Sequence, residues 1–483
     1  MTRQELTTTP EPEQQPDERR RLPLIPVLPP DTTPEPRGRN LLDVPLVRRV
    51  MTSPLYPRVF QWAVLAGFVF VGYQLLAGPE SAHENIGTVL MWVIWWPLIP
   101  IVFFLMGRFW CAICPFATLN DWVQKVVGLE RPVPPFLKKY GIWLIDASFI
   151  AITWADHMWG VVASPWGSGV MVLLLTTAVV VSGALWQRRA FCRYLCFLGG
   201  VAGNYSRTAM VTLRADQDIC KTCKARAVCY NGSADVPGCP LFSFPRTLDS
   251  NATCNLCANC IKNCPNGAIS VTVRKPTQEL WFMDKPRVEV ASLAMAIMGI
   301  VLIQNLSMLS VWPTILAAIG SVIGTTFYPI VFTVAFVIAI ALPVGLLALA
   351  SKVAATRSAE GIWQNFARFG YALIPLDVAA HMAHNLFHLL SEGKAVFYTA
   401  FPLFGLGMPT DSPALLGPAA IQVLQFTLLA LGIAGSLYTC HRIARRRYPG
   451  GVHRGLISPY YALVTALGLL NIWMFTLPML HRV

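Results

Sequence analysis

Eight of the 13 cysteines fall between Cys220 and Cys264, and the second half of that stretch reads Cys254-Asn-Leu-Cys257-Ala-Asn-Cys260-Ile-Lys-Asn-Cys264-Pro265. In such a C-x2-C-x2-C-x3-C-P run, three thiolates on a tight loop reach three irons of one cubane. The fourth, turned away at the proline, reaches a neighbouring cluster. A second cluster is therefore expected, and the sequence supplies its ligands: Cys220, Cys223 and Cys229, then Cys239 followed by Pro240. Crossing the fourth ligands assigns Cys220, Cys223, Cys229 and Cys264 to one [4Fe-4S] cluster, and Cys254, Cys257, Cys260 and Cys239 to the other. Structural zinc also uses paired C-x2-C motifs, but it requires neither the third cysteine at x2 nor the cysteine-proline pair after x3. A disulfide framework belongs to oxidising compartments, whereas the topology below puts this stretch in the cytoplasm. The segment from Tyr230 to Gly238 is an insertion that the compact run lacks.

Two more cysteine pairs repeat a pattern of basic residue, aromatic, cysteine, cysteine: Arg108-Phe109-Trp110-Cys111-Ala-Ile-Cys114-Pro115 and Arg188-Arg189-Ala-Phe191-Cys192-Arg193-Tyr-Leu-Cys196. Each follows an apolar segment, which suggests a duplicated helix pair. Inert packing is one reading of these thiols. The cationic neighbours favour the other, thiolates serving a metal site or a redox pair. A further pattern is Asp377-x3-His381-x2-His384-x3-His388. At about 100° per residue these four side chains fall within roughly 60° on a helix. Ionisable groups in an apolar segment are costly and mark a functional path by default, although a hydrogen-bonded helix contact is the plainer alternative. His384 and His388 are spaced to meet one metal ion. A six-coordinate haem b would need a histidine from elsewhere, such as His157, and a quinone site needs one histidine and an acid to pass on its proton.

The elements that must position these residues are membrane helices. Apolar residues make up 54% of the chain and charged residues 13%, with a mean hydropathy of +0.51, outside the range of soluble domains. Runs long enough to cross a bilayer lie at about 59–77, 86–106, 141–160, 168–187, 289–310, 327–350, 371–390, 418–440 and 459–480. With the N-terminus cytoplasmic, nine crossings leave only Lys394 and Arg482 outside, as the positive-inside rule asks. The net charge of +13 is thus explained by topology, and no nucleic-acid partner is expected. Residues 311–326, interrupted by Pro313, Gly320 and Gly324, are assigned to an outer loop or a re-entrant piece.

The expected fold is a polytopic α-helical membrane protein with a small cytoplasmic α+β insert. Residues 1–45 form a proline-rich tail without a cleavable signal peptide, and 46–206 a four-helix membrane domain with the cysteine pairs at its cytoplasmic edge. Residues 207–286 form the two-cluster insert, and 287–483 a five-helix membrane domain whose C-terminus lies outside. This architecture belongs in the cytoplasmic (inner) membrane, with the lipid bilayer as its first partner.

Across roughly residues 59–275, the paired cysteine motifs followed by the double cluster run resemble the membrane iron-sulfur electron-transfer proteins of the NapH, NosR and CcoG type. Members of that group typically carry C-x3-C-P at both edges. Here the first pair is C-x2-C-P and the second is C-x3-C without the proline, and the last five helices also depart from the NosR pattern. The resemblance implies electron transfer linked to the quinone pool on behalf of a respiratory or metalloenzyme partner. The chain is then a quinol-linked oxidoreductase or electron-transfer subunit that moves single electrons between the clusters and a quinone, a haem or a further metal centre in the membrane. Alternatives of other classes are a copper reductase or assembly factor for a metalloenzyme, which the CcoG resemblance allows, and a transporter with clusters as sensor.

Overall fold

Apolar segments without water around them can satisfy their backbone groups only as helices, and helices dominate the fold. A computed structural model describes residues 38–225, 228–448 and 453–478. Its long helices are α1 (Arg58–Ala77), α2 (Trp96–Met106, entered through a π-helical stretch Val89–Trp95), α3 (Pro115–Val127), α4 (Pro135–Trp159) and α5 (Pro165–Leu185). After the insert come α6 (Val288–Ser307), α7 (Tyr328–Ala355), α8 (Ile374–Glu392), α9 (Pro418–Arg447) and α10 (Arg454–Met474). Among the described residues, seven helical segments are long and apolar enough to cross a membrane, against the nine expected. The other two are α4 and α8. Lys138, Lys139, Asp146 and Asp156 dilute the first, and Asp377 and three histidines the second.

Burial sorts the helices into rim and interior. Only 11% of the apolar window of α1 is enclosed, against 78% for α6, so α1 presents its side chains to lipid and α6 packs within protein. Helix α8 is enclosed too: it runs against α2, α6 and α9, and Ile374 to Ala380 are all buried. Its polar stripe therefore faces other helices. Residues 312–323 form a short helix closed by Gly324 at φ +74°. Twelve residues rise about 18 Å, well short of a hydrocarbon core of about 30 Å.

The insert is built on a two-stranded antiparallel ribbon, β1 (Val211–Ala215) with β2 (Ile269–Val273), Leu213 opposite Val271. Leu213, Val271, Leu256 and Ile269 form a small core shared with Met51 and Tyr56, which precede α1. Residues 1–37 of the expected tail and Arg482 lie outside the described residues. From residue 38 the chain is engaged: the Asn40 side chain accepts from Val271 N at 3.2 Å, and Asn40 pairs with Thr272 beside β2. The segments of the insert are tied to one another by Glu279, only 2% exposed. It takes Arg274 Nη1 at 2.9 Å, Arg214 Nη2 at 3.2 Å, Ser250 Oγ at 2.5 Å and Asn251 N at 2.9 Å. Burial pushes the Glu279 carboxyl up, but Arg274, Arg214 and Arg207 together hold it below its ordinary value.

Candidate iron-sulfur sites and the buried polar stripe

Cys220, Cys223, Cys229 and Cys264 line one opening of about 410 Å³, measured out to its mouth, together with Phe244, Pro245, Arg246 and Asn266. Ala268 N donates to Cys264 Sγ at 3.3 Å, and Asn266 Nδ2 donates to Cys223 Sγ at 3.2 Å. The short helix Gln217–Thr222, capped by the Asp216 carboxylate, carries Cys220 into this opening.

The other grouping has Cys239 within electrostatic reach of Cys254, Cys257 and Cys260. What brings Cys239 there is the path of the 230–238 insertion. It doubles back through a Gly232–Pro237 bridge, so that Cys239 N donates to Tyr230 O at 3.0 Å. Asparagines inside the second cysteine run then pin it: Asn259 Nδ2 donates to Gly238 O at 3.2 Å, and Asn263 Nδ2 to Val236 O and Pro237 O at 3.3 and 3.2 Å. The run itself bends through Leu256 (φ +56°) and Ala258 (φ +64°), a left-handed kink that non-glycine residues adopt only when their surroundings hold it. Those surroundings come largely from the membrane domain. Tyr56 Oη donates to Leu256 O at 2.8 Å, Lys262 Nζ donates to Tyr56 O, and Arg108 Nη1 donates to Ala252 O at 2.5 Å.

Cys111, Cys114, Cys192 and Cys196 lie within electrostatic reach of one another, so the two membrane-edge pairs share one place. The Cys196 thiol accepts from Gly199 N at 3.3 Å. This quartet adjoins the second cysteine grouping: Cys257 packs with Ala112 and Ile113, and Asn255 Nδ2 donates to Cys111 O at 3.4 Å. Arg189, 3% exposed, sits on the same seam, forked onto Asp121 at 2.5–3.1 Å and donating to Cys111 O at 3.0 Å. Among the described residues no three such groups converge on a single metal-ion position. A cubane asks for something different, one thiolate per iron around a cavity, and the donor sets fit that demand in number and chemistry.

The stripe on α8 is divided among partners. Tyr205 Oη lies 2.9 Å from His381 Nδ1, His384 Nδ1 lies 2.7 Å from Asn305 Oδ1, the His384 and His388 rings are 5.3 Å apart, and His388 Nδ1 lies 3.6 Å from Glu392 Oε1. Asp377 is fully buried with neither carboxylate oxygen bonded. His157 is placed elsewhere: it stacks on Phe332 at 5.0 Å, contacts Thr153 O at 2.9 Å and reaches Ser307 Oγ at 3.4 Å. Depth in the bilayer made it a plausible companion for the stripe, but α4 turns this face toward α7. Between the edge quartet and the stripe runs a file of rings that sequence reasoning did not single out. Trp110 to Trp95 is 5.6 Å, Trp95 to Trp96 is 6.0 Å, and Trp96 to His381 is 6.0 Å. The three tryptophans are visible in the sequence, but only the packing of α2 on α8 aligns them.

Comparison with known proteins falls on this same region. A 4Fe-4S binding domain family matches residues 88–134 and 168–209, the two segments that carry the edge pairs. The chain is 24% identical to YccM of Escherichia coli (strain K12), described as an electron transport protein, over 44% of this chain and 64% of that one. The aligned part thus spans a little under two thirds of that relative. No solved structure matches the chain. Together with the apolar helices and the crowded thiols, these likenesses support a membrane 4Fe-4S electron-transfer protein.

Proposed function

We propose that the protein carries single electrons through two [4Fe-4S] clusters of the insert to or from a quinone at the buried polar stripe, on behalf of a redox partner protein in the cytoplasm. Cys220, Cys223, Cys229 and Cys264 would hold one cluster and Cys239, Cys254, Cys257 and Cys260 the other. When bound, the clusters supply reversible one-electron storage. The observation that carries this reading is the continuity of the route. It runs from a thiol-lined opening at the insert surface, through the buried second grouping, to the edge quartet beside Cys257, and then along Trp110, Trp95 and Trp96 to His381.

At the far end the protein's own groups suit a carrier that trades protons with electrons. His381 can give or take a proton at Nε2 while Nδ1 is held by Tyr205. Asp377, unpartnered and enclosed, needs a proton or a cation to be tolerated there. His384, His388 and Glu392 continue toward the end of α8, which by the basic-residue pattern lies on the outer side.

The test uses the full chain in vesicles. Purified protein is expected to hold at least about eight iron and eight sulfide. A short-chain quinol should bleach the visible cluster absorption, and Ala replacements of His381 and Asp377 should abolish that bleaching while dithionite still reduces the clusters. A colourless zinc protein, or quinol bleaching unaffected by both replacements, would overturn the reading.

A further inference from the structure

Arg108 has a buried charge that nothing among the described residues balances. It is 7% exposed, and its one bond is the donation from Nη1 to Ala252 O, while Nε and Nη2 are enclosed without a partner. Arg189, equally buried nearby, is fully answered by the Asp121 carboxylate. A guanidinium taken out of water without a counter-charge is costly, so the position of Arg108 carries information. It lies within electrostatic reach of Cys196, from the edge quartet, and of Cys254, from the second grouping.

The backbone around it is cut to admit it. Gly107, at φ +61°, ends α2 and turns Arg108 inward. At Gly199 a Cβ would stand 2.8 Å from Cys192 O and 3.3 Å from Arg108 Nη2, so a side chain there would press on the cysteine loop and crowd the guanidinium beside it. The same Gly199 offers its N–H to Cys196 Sγ.

We propose that Arg108 is the shared counter-charge of two iron-sulfur centres, one held by Cys239, Cys254, Cys257 and Cys260, the other a third cubane held by Cys111, Cys114, Cys192 and Cys196. The inference rests on the electron-transfer reading above and adds a site to it. The family match to a 4Fe-4S binding domain lies on the two segments that supply this quartet, and not on residues 220–264. A cubane with four thiolates is doubly negative when oxidised and triply negative after accepting one electron, with no bond made or broken. A fixed cation favours the triply negative state, so it raises the midpoint potential of any centre it faces.

The experiment compares the full-length wild type with R108Q, R108K and a variant with all four edge cysteines changed to serine, by iron content and by potentiometric titration with dithionite followed by electron paramagnetic resonance. Wild type is expected to hold about twelve iron and the quadruple variant about eight, three cubanes against two. In R108Q the signals of two centres should move to more negative potential, with the third unmoved, and R108K should return most of that shift. An iron content of eight in both wild type and the quadruple variant would remove the third centre and leave the two-cluster reading standing. Potentials unchanged in R108Q would overturn the role of Arg108. If R108Q does not load, R108K decides: normal loading with the charge kept supports the proposal, and failure to load would make shape, not charge, the requirement.

Discussion

The two cysteine groupings of the insert share chemistry and differ in surroundings. The grouping of Cys220, Cys223, Cys229 and Cys264 borders an opening at the insert surface. The grouping of Cys239, Cys254, Cys257 and Cys260 is the more enclosed, Cys257 being buried, and residues from before α1 and from just past the end of α2 brace it: Tyr56, Arg108, Ala112 and Ile113. On the proposed function the difference would give the two sites separate tasks: a surface-facing centre would exchange electrons with a docked protein, and an enclosed one with what adjoins it, here the edge quartet. Enclosure also means that the second site depends on the membrane domain for its shape, and that dependence can be tested.

The largest effects should come from the fourth ligands, because each is expected to belong to the grouping remote from it in sequence. Changing Cys239 to Ser should remove the enclosed centre and with it electron passage to the membrane. The surface centre should keep its signal. Changing Cys264 to Ser should do the reverse for the surface centre, although Cys264 lies in the run with Cys254. Resonance spectra of the two variants would break the assignment if Cys264→Ser abolished the enclosed signal alone.

A smaller effect is expected at Glu279. Gln at this position leaves Arg274, Arg214 and Arg207 with reduced compensation, at a cost of about 3–5 kcal/mol for breaking a buried ionic network. Ser250 and Asn251, which bond to Glu279, lead directly into Cys254, so the enclosed centre should be lost first as Glu279→Gln protein is warmed in detergent. The same carboxyl sets an acid limit. Its folded-state value is depressed, so its stabilisation is complete above the unfolded value of about 4.3 and fades as pH falls through the folded value. Wild type should therefore lose thermal stability below that point more steeply than Glu279→Gln, and parallel melting curves would assign the network no such role.

What the sequence made legible is what depends on local spacing. The C-x2-C-x2-C-x3-C-P run, the two edge pairs and the apolar runs are short-range patterns, and helices form over each expected segment. The groupings that cross Cys239 and Cys264 were readable because the proline in the run dictates a turn. What stayed hidden depends on segments that meet far from their neighbours in the chain. Arg108 and Ala252 are 144 residues apart, and nothing near Arg108 says that its guanidinium enters a seam. Asn259 and Asn263 read as filler between cysteines until the insertion folds back onto them. His157 shows the opposite failure: topology gave its depth, but not the rotation of α4 that presents it to Phe332. Helices α4 and α8 form where crossings were expected but are less apolar than the other seven, because a run free of lysine and arginine can still carry acids and histidines that lower its hydropathy.

The smallest effect sharpens the comparison most. Tyr56, 6% exposed, donates its phenolic O–H to Leu256 O, at the left-handed kink between Cys254 and Cys257. Phe at this position keeps the ring that packs on Leu213 and Val271 and on the Lys262 ammonium, so only the hydrogen bond is lost. One buried hydrogen bond contributes about 0.5–1.5 kcal/mol, and the orphaned carbonyl adds to the loss. The expected shift in melting temperature is a few degrees, too little to assign a site by itself. Its location is informative: because Leu256 lies within the enclosed grouping, Tyr56→Phe should quicken the loss of iron from that centre to a chelator by roughly tenfold at most, the equivalent of about 1.4 kcal/mol. The surface centre should be stripped at the wild-type rate. If instead both centres lost iron faster together, the insert would behave as one cooperative unit, and the separate dependence of its enclosed half on the membrane domain would have to be abandoned.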